Sequence, residues 1–225
     1  IHSFGNDESL MSSIDVANVA CGFHAGDPYA MDVTVALAKE HGVGIGAHPG
    51  LPDLTGFGRR EMKLTPDEVE SIIRYQVGAL TGYLQKYDVP LNHIKPHGAL
   101  YGMISRSDEL MEGAIRVVKD YGVPIYGLSG TAHQRVAERE GVEFVGEIYV
   151  DLNYDANGNL IILRRPHQTD PKAAAARIER VLQDGIIVAE DGSEHVFEFS
   201  SICIHSDAPG AADVAAAVKA VLNAQ

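Results

Sequence analysis

The chain has 225 residues, 45% of them hydrophobic, which is enough to bury one sizeable core and makes a single domain over residues 1–225 the expectation. Its formal charge of −13, from 31 acidic and 18 basic residues, argues against nonspecific nucleic-acid binding. No apolar run approaches the roughly 20 residues of a membrane span, and no basic segment followed by an apolar stretch opens the chain, so neither a membrane partner nor a signal peptide is expected. Cys21 and Cys203 sit in apolar runs without zinc spacing or a disulfide framework, which fits buried thiols in a reducing cytoplasm better than a pair.

In chain order, β-like runs alternate with helical ones. "DVANVAC" (Asp15 to Cys21) predicts a strand. A helix follows from Pro28, with Asp27 as its cap and Gly42 as its stop. "VGIGA" (Val43 to Ala47) is a strand. "LTPDEVESIIRYQVGALTGYLQKY" is a helix with a Thr65/Glu68 capping-box spacing and Ile73, Val77, Leu80 and Leu84 on one face. "NHIK" is a short strand, Asp108 to Tyr121 a helix ended by Gly122, "VPIYGL" a strand, and Thr131 to Glu140 a helix. "VEFVGE" and "NLIIL" read as strands, the second in an excursion. A helix starts at Pro171 behind Asp170 and stops near Gly185. "IIVAEDGSEHVFEF" reads as two strands around Asp191-Gly192, "SSICI" as a last strand, and Pro209 to Leu222 as the final helix. This alternation implies an α/β fold with a largely parallel sheet, and about seven units point to a closed or nearly closed barrel.

Four segments share one design, an apolar strand followed by a loop that opens on histidine: "VACGFHAGDP", "GIGAHPGLPD", "HIKPHGALY" and "ICIHSDAPGA". His24, His48, His97 and His205 therefore lie just past strand carboxyl ends, which in a parallel barrel gather on the face where active sites sit. Lys95, two residues before His97, points the same way if the segment is extended, and a lysine in a barrel strand needs a partner or a task. Asp27, Asp53 and Asp207 follow three of the histidines closely, and "GFGRR" supplies Arg59 and Arg60, of which one is expected to clamp an anion. A lone strand-end histidine is more often structural than catalytic, but four at equivalent positions reverse that expectation. For Asp27 and Asp207 helix capping is as good a reading as ligand binding. His41, His133, His167 and His195 sit on helix ends or polar turns and receive no role. No P-loop, H-E-x-x-H, C-x-x-C or G-x-S-x-G is present, which leaves acid–base catalysis or a metal held by scattered His and Asp.

At these residues the sequence resembles the LamB/YcsF family: "NVACGFHAGDP", "IGAHPGLPDLTGFGRR", "YQVGAL", "KPHGALY" and "ICIHSDAPGA" match its motifs in order and spacing nearly end to end. The resemblance implies a deformed (β/α) barrel akin to the glycoside hydrolase/deacetylase superfamily. Characterised bacterial members are A subunits of 5-oxoprolinase, so it also implies ATP-dependent opening of 5-oxoproline to glutamate with B and C partner subunits, ATP being bound with or by the partners. In one route the amide oxygen is phosphorylated and water attacks the activated carbon. His97 or His24 would then be the general base, Lys95 or Arg59 would hold the carboxylate or phosphate, and His48 and His205 would orient the oxyanion. Asp27, Asp53, Asp151 and Asp207 complete the candidate substrate contacts. Two departures stand out. Members open with a strand like "DLNCDLGE" before "SFG", whereas this chain reads "IHSFGND" with His2 where a glutamate is expected, so either the chain is incomplete or the acid chemistry is altered. The family's "FADR-x-Y" region reads "YVDLNY" here, with Leu152 in place of the arginine while Asp151 and Tyr154 remain. The competing readings are a divalent-metal-dependent hydrolase or deacetylase and a non-catalytic ligand-binding subunit.

Overall fold

A computed structural model describes residues 7–224, so His2 lies outside the described residues. These residues form two compact units, residues 15–146 and residues 7–14 with 147–224.

A short helix, α1 (Asp7–Met11), precedes the first unit. That unit then runs β1 (Val16–Ala20), α2 (Pro28–His41), β2 (Gly44–His48), α3 (Pro66–Tyr87), β3 (Leu91–Ile94), α4 (Gly98–Ser105), α5 (Asp108–Tyr121), β4 (Ile125–Gly127) and α6 (Ala132–Arg139), and ends in the first half of β5 (Phe144–Tyr149). Neighbouring strands β1 to β5 pair in sequence order, all parallel, with Val16 opposite Gly44 and Ile125 opposite Phe144. Parallel pairing between consecutive strands forces a helical crossover each time, which is the alternation the sequence predicts.

The caps are those read from the sequence. The Asp27 carboxylate accepts the Tyr29 and Ala30 N–H groups at 2.9 Å, and Gly42 ends α2 in the left-handed region. Thr65 and Glu68 form the reciprocal capping box of α3, whose Val69, Ile73, Val77, Leu80 and Leu84 make one buried stripe. The turn between β1 and α2 depends on glycine: Gly26 has φ +78°, and a Cβ there would stand 2.3 Å from the Ala20 carbonyl oxygen. α4 is not foreseen in the sequence reading, which treats Gly98 onward as loop. Its residues 99–104 are all buried, so packing rather than surface amphipathicity holds it.

In the second unit, residues 147–149 of β5 pair in parallel with β8 (Ser201–Cys203), Glu147 opposite Ser201 and Tyr149 opposite Cys203. Between them come α7 (Pro171–Asp184) and an antiparallel hairpin of β6 (Ile186–Val188) and β7 (Glu194–Val196). α8 (Ala211–Asn223) closes the chain, and Leu10 of α1 packs on its Ala211 and Ala215. The run "NLIIL" departs from expectation. It forms only a single bridge, Tyr154 to Leu160, because the Asp155 carboxylate gathers the Asn157 and Asn159 N–H groups into a local turn. Parallel strands number six among the described residues. Cys21 and Cys203 are both buried, and neither is in a disulfide. No described helix is long and apolar enough to cross a membrane.

Candidate active site

Three of the four strand-end histidines meet within residues 15–146. His48 ends β2, His97 stands at the N-cap of α4, and His24 sits in the glycine-flanked loop after β1. The His24 and His97 rings stack with centroids 3.8 Å apart and planes 5° from parallel. His97 Nδ1 lies 3.0 Å from His48 Nε2. Phe57 meets both His24 and His97 edge-on, at 5.4 and 5.2 Å.

Backbone bonds lock this arrangement. His97 N–H donates to Pro49 O, Lys95 N–H to Ala47 O and Ala99 N–H to Gly58 O, each at 2.9 Å. The outer ring nitrogens are also held. His48 Nδ1 faces the Lys95 carbonyl at 2.6 Å, and His97 Nε2 faces the Phe57 carbonyl at 2.8 Å. Phe57 presents that carbonyl from a left-handed backbone, φ +54°, a conformation that costs an L-residue about 1–2 kcal/mol and that clusters at functional sites.

Gln76, fully buried in the middle of α3, clamps the same loop from below. Its Oε1 accepts the Gly50 N–H at 3.0 Å and its Nε2 donates to the Gly50 carbonyl at 2.8 Å. Gln76→Leu leaves both backbone groups buried without partners, so we expect a loss of about 2–4 kcal/mol. Urea unfolding measures it, and a loss below about 1 kcal/mol would show that Gly50 finds other partners.

Electrostatics favour the neutral forms of His24 and His48. Burial, reinforced by the Arg59 charge, pulls His24 down to about 4. Burial of the His48 ring, then the charges of His97, His24 and Lys95, hold His48 well below its ordinary value. Lys95 is itself buried. Arg59 lies over the Phe57 ring at 4.9 Å. Arg60 instead grips Asp53, which also accepts the Gly56 N–H at 3.0 Å; the Arg60 hydrogen bonds hold the Asp53 carboxyl below the usual carboxylate range. Asp53 thus ties together the loop that carries Phe57.

Within residues 147–224, His205 pairs with Asp151. The Asp151 carboxylate accepts the His205 backbone N–H at 2.6 Å and faces its Nδ1 at 3.1 Å. Burial alone would raise Asp151, but the bonds from His205 bring it below the ordinary value. An ionised carboxylate only accepts, so Nδ1 carries a proton, and in the neutral ring Nε2 then keeps the lone pair a general base needs. Tyr149 stacks on the His205 ring at 5.9 Å. At the neighbouring Leu152, the Arg177 guanidinium from α7 donates to the Leu152 carbonyl at 2.7 Å. Tyr154 is fully buried, its hydroxyl accepting the Tyr149 N–H at 2.9 Å. Asp27 is an exposed helix cap and Asp207 is exposed in the loop between β8 and α8; neither belongs to the imidazole cluster.

The sequence reading passes over His93, Phe57 and Gln76. His93 is fully buried, faces Asn18 and Asn92 side-chain oxygens at 2.8 and 2.9 Å, and stacks on Tyr126 at 3.9 Å. The signal was available: His93 precedes Lys95 by two residues on an extended segment, so both lie on one face. His133, by contrast, is a buried structural residue, its Nδ1 accepting the Leu128 N–H at 3.2 Å and its Nε2 facing the Tyr101 carbonyl at 3.1 Å.

Comparison with known proteins places this geometry in context. The family model described as "LamB/YcsF family" matches residues 1–225. The Emericella nidulans protein named lactam utilization protein lamB is 45% identical over 223 residues, 97% of this chain and 88% of that one. A Thermus thermophilus protein named as the A subunit of 5-oxoprolinase is 42% identical over 225 residues, 98% of this chain and 90% of that one. A crystal structure of the lactam utilization protein from Thermus thermophilus superposes with a TM-score of 0.89 at 40% identity, covering 99% of this chain and 90% of that one, which bears out the α/β fold class. With a model matched across its whole length and relatives above 40% identity, the chain belongs to the LamB/YcsF family.

Proposed function

We propose that this chain is the A-type subunit of a 5-oxoprolinase, which opens the lactam of 5-oxoproline to glutamate with hydrolysis of ATP, together with B- and C-type partner subunits. Relatives named for that activity support the reading. The observation that carries it is the gathering of His24, His48 and His97, all from family motifs, into one cluster whose His24 and His48 are held neutral.

A lactam is a stable amide, and water needs help at both ends of the bond. Transfer of the γ-phosphoryl group to the amide oxygen breaks the bond to ADP and activates the ring carbon. Water then adds to that carbon and gives up a proton, and the C–N bond breaks as nitrogen takes one. A second water hydrolyses the resulting acyl phosphate, giving glutamate and phosphate. His205, oriented by Asp151, has the build of a general base. Lys95 and Arg59 are the cations whose fields reach the imidazole cluster, and we assign them to the substrate carboxylate or the phosphoryl group.

The test is glutamate release from 5-oxoproline with ATP by the co-purified complex, omitting each subunit in turn. Turnover that requires this chain is the expected result. An assembled complex that leaves 5-oxoproline intact would falsify the reading. Within an active complex, Asp151→Asn should lower kcat by about 10²–10⁴ with little change in KM, because the carboxylate positions the base rather than the substrate. A change confined to KM would instead make Asp151 a substrate contact.

A further inference from the structure

Two of the imidazoles meet nitrogen to nitrogen. His48 Nδ1 faces the Lys95 carbonyl and His97 Nε2 faces the Phe57 carbonyl, at 2.6 and 2.8 Å. A carbonyl oxygen can only accept, so each of these nitrogens carries its ring's proton. A neutral imidazole has one N–H. With both rings in that neutral form the facing atoms, His48 Nε2 and His97 Nδ1, are unprotonated and stand 3.0 Å apart. Two lone pairs at that separation repel unless something positive lies between them.

A third donor is at hand. His24 brings a ring nitrogen into the same group, all three ligand atoms lying within 4.8 Å of one another. Its Nδ1 is buried without a hydrogen-bond partner, a condition that costs about 1–3 kcal/mol when left so. The positive species could be a proton or a metal ion. A shared proton would satisfy only the His48–His97 pair and would leave His24 Nδ1 without a partner. A metal ion satisfies the pair and accounts for the convergence of the third ring.

We propose that His48, His97 and His24 form a binding site for a divalent transition metal of the zinc class. Two nitrogens bound to one tetrahedral zinc at about 2.0–2.1 Å stand about 3.3 Å apart, so the His48–His97 pair is already near ligand spacing. His24 completes the set, its ring nitrogen already within 4.8 Å of the other two. The Lys95 and Phe57 carbonyls are the outer partners that fix the tautomer of two ligands, a recurrent feature of histidine metal sites. Three imidazoles and an open position make the composition of a catalytic rather than a closed structural site. The inference is independent of the substrate assigned above, because binding is read on the free chain.

The experiment strips the purified chain with chelator and titrates it with Zn²⁺ by calorimetry and with Co²⁺ by visible absorption. One equivalent should bind, with the intense bands of a four-coordinate cobalt site. His48→Ala and His97→Ala should each weaken binding by more than about 100-fold, while His41→Ala, an exposed control, should leave it unchanged. Nitrogen-15 spectra of the wild-type rings supply a readout that needs no variant: His48 Nε2 and His97 Nδ1 should shift on adding zinc while both outer nitrogens stay protonated. Failure to bind a stoichiometric ion, or binding that survives His97→Ala, overturns the site. An imidazolium signal that persists through the zinc titration would assign the pair to a shared proton instead.

Discussion

Acidifying the chelator-treated chain from pH 7 to pH 5 should strip several kcal/mol from the unit of residues 15–146, well above the range where carboxylates titrate. Burial pulls His24 down to about 4, and it pulls His93 and His133 down to about 3. In the unfolded chain each would titrate near 6.5. Between those limits the unfolded state holds more protons, so stability rises with pH there and falls as pH is lowered. Above about pH 6.5 these groups contribute no pH dependence. Three such groups give a slope of about 4 kcal/mol per pH unit once the unfolded imidazoles are charged, and His48 adds to it with the same sign. A domain is stable by only about 5–15 kcal/mol in total, so this term is large enough to unfold it. Asp53, whose carboxyl Arg60 holds low, contributes with the same sign only below its unfolded value near 3.9. Urea unfolding from pH 7.5 to 4.5 gives the slope directly. A slope of three or more protons near pH 5 is the expected outcome. One proton or fewer would mean that the buried rings take up protons without unfolding, and the neutral cluster would lose its basis.

Much of the fold was legible because local signals and packing agree. Asp27, Thr65 and Asp170 cap their helices, and Gly42, Gly122 and Gly185 end theirs in the left-handed conformation only glycine adopts freely. The misses have one physical character. α4 is buried on every side, so its sequence lacks the polar face that marks a helix, and "NLIIL" has the composition of a strand but no ladder to join.

The site was legible in its residue types and less so in its connections. Strand-end position identified His24, His48 and His97, since parallel strands deliver their carboxyl ends together. Asp151 and His205 were both singled out, yet their bond follows from β5 and β8 lying side by side, a pairing 54 residues apart in sequence. Phe57 acts through its backbone oxygen, and any residue has one, so no side-chain pattern could reveal it. Gln76 acts on a loop 26 residues away, and its amide looks like any polar residue on a helix.

Gly50→Ala should damage the cluster, and the reason is a conflict between two constraints. An ideal Cβ at Gly50 would stand 2.4 Å from His24 Nδ1 and 3.0 Å from the ring carbon beside it, well inside contact distance. The backbone cannot retreat, because Gln76 holds Gly50 at both its N–H and its carbonyl. The ring cannot simply slide, because His97 lies 3.8 Å beyond it and Phe57 abuts its edge. One partner must break, and overpacking of this kind costs about 1–3 kcal/mol. The decisive measurement is a double-mutant cycle with His24→Ala. Removing the ring restores the space, so the double variant should be more stable than the sum of the two losses predicts, by at least about 1 kcal/mol. Strict additivity would mean that the methyl group harms something other than His24. In the assembled complex Gly50→Ala should lose turnover along with His24→Ala. The double variant should recover stability but not activity, which would separate the need for a well-packed loop from the need for the imidazole itself.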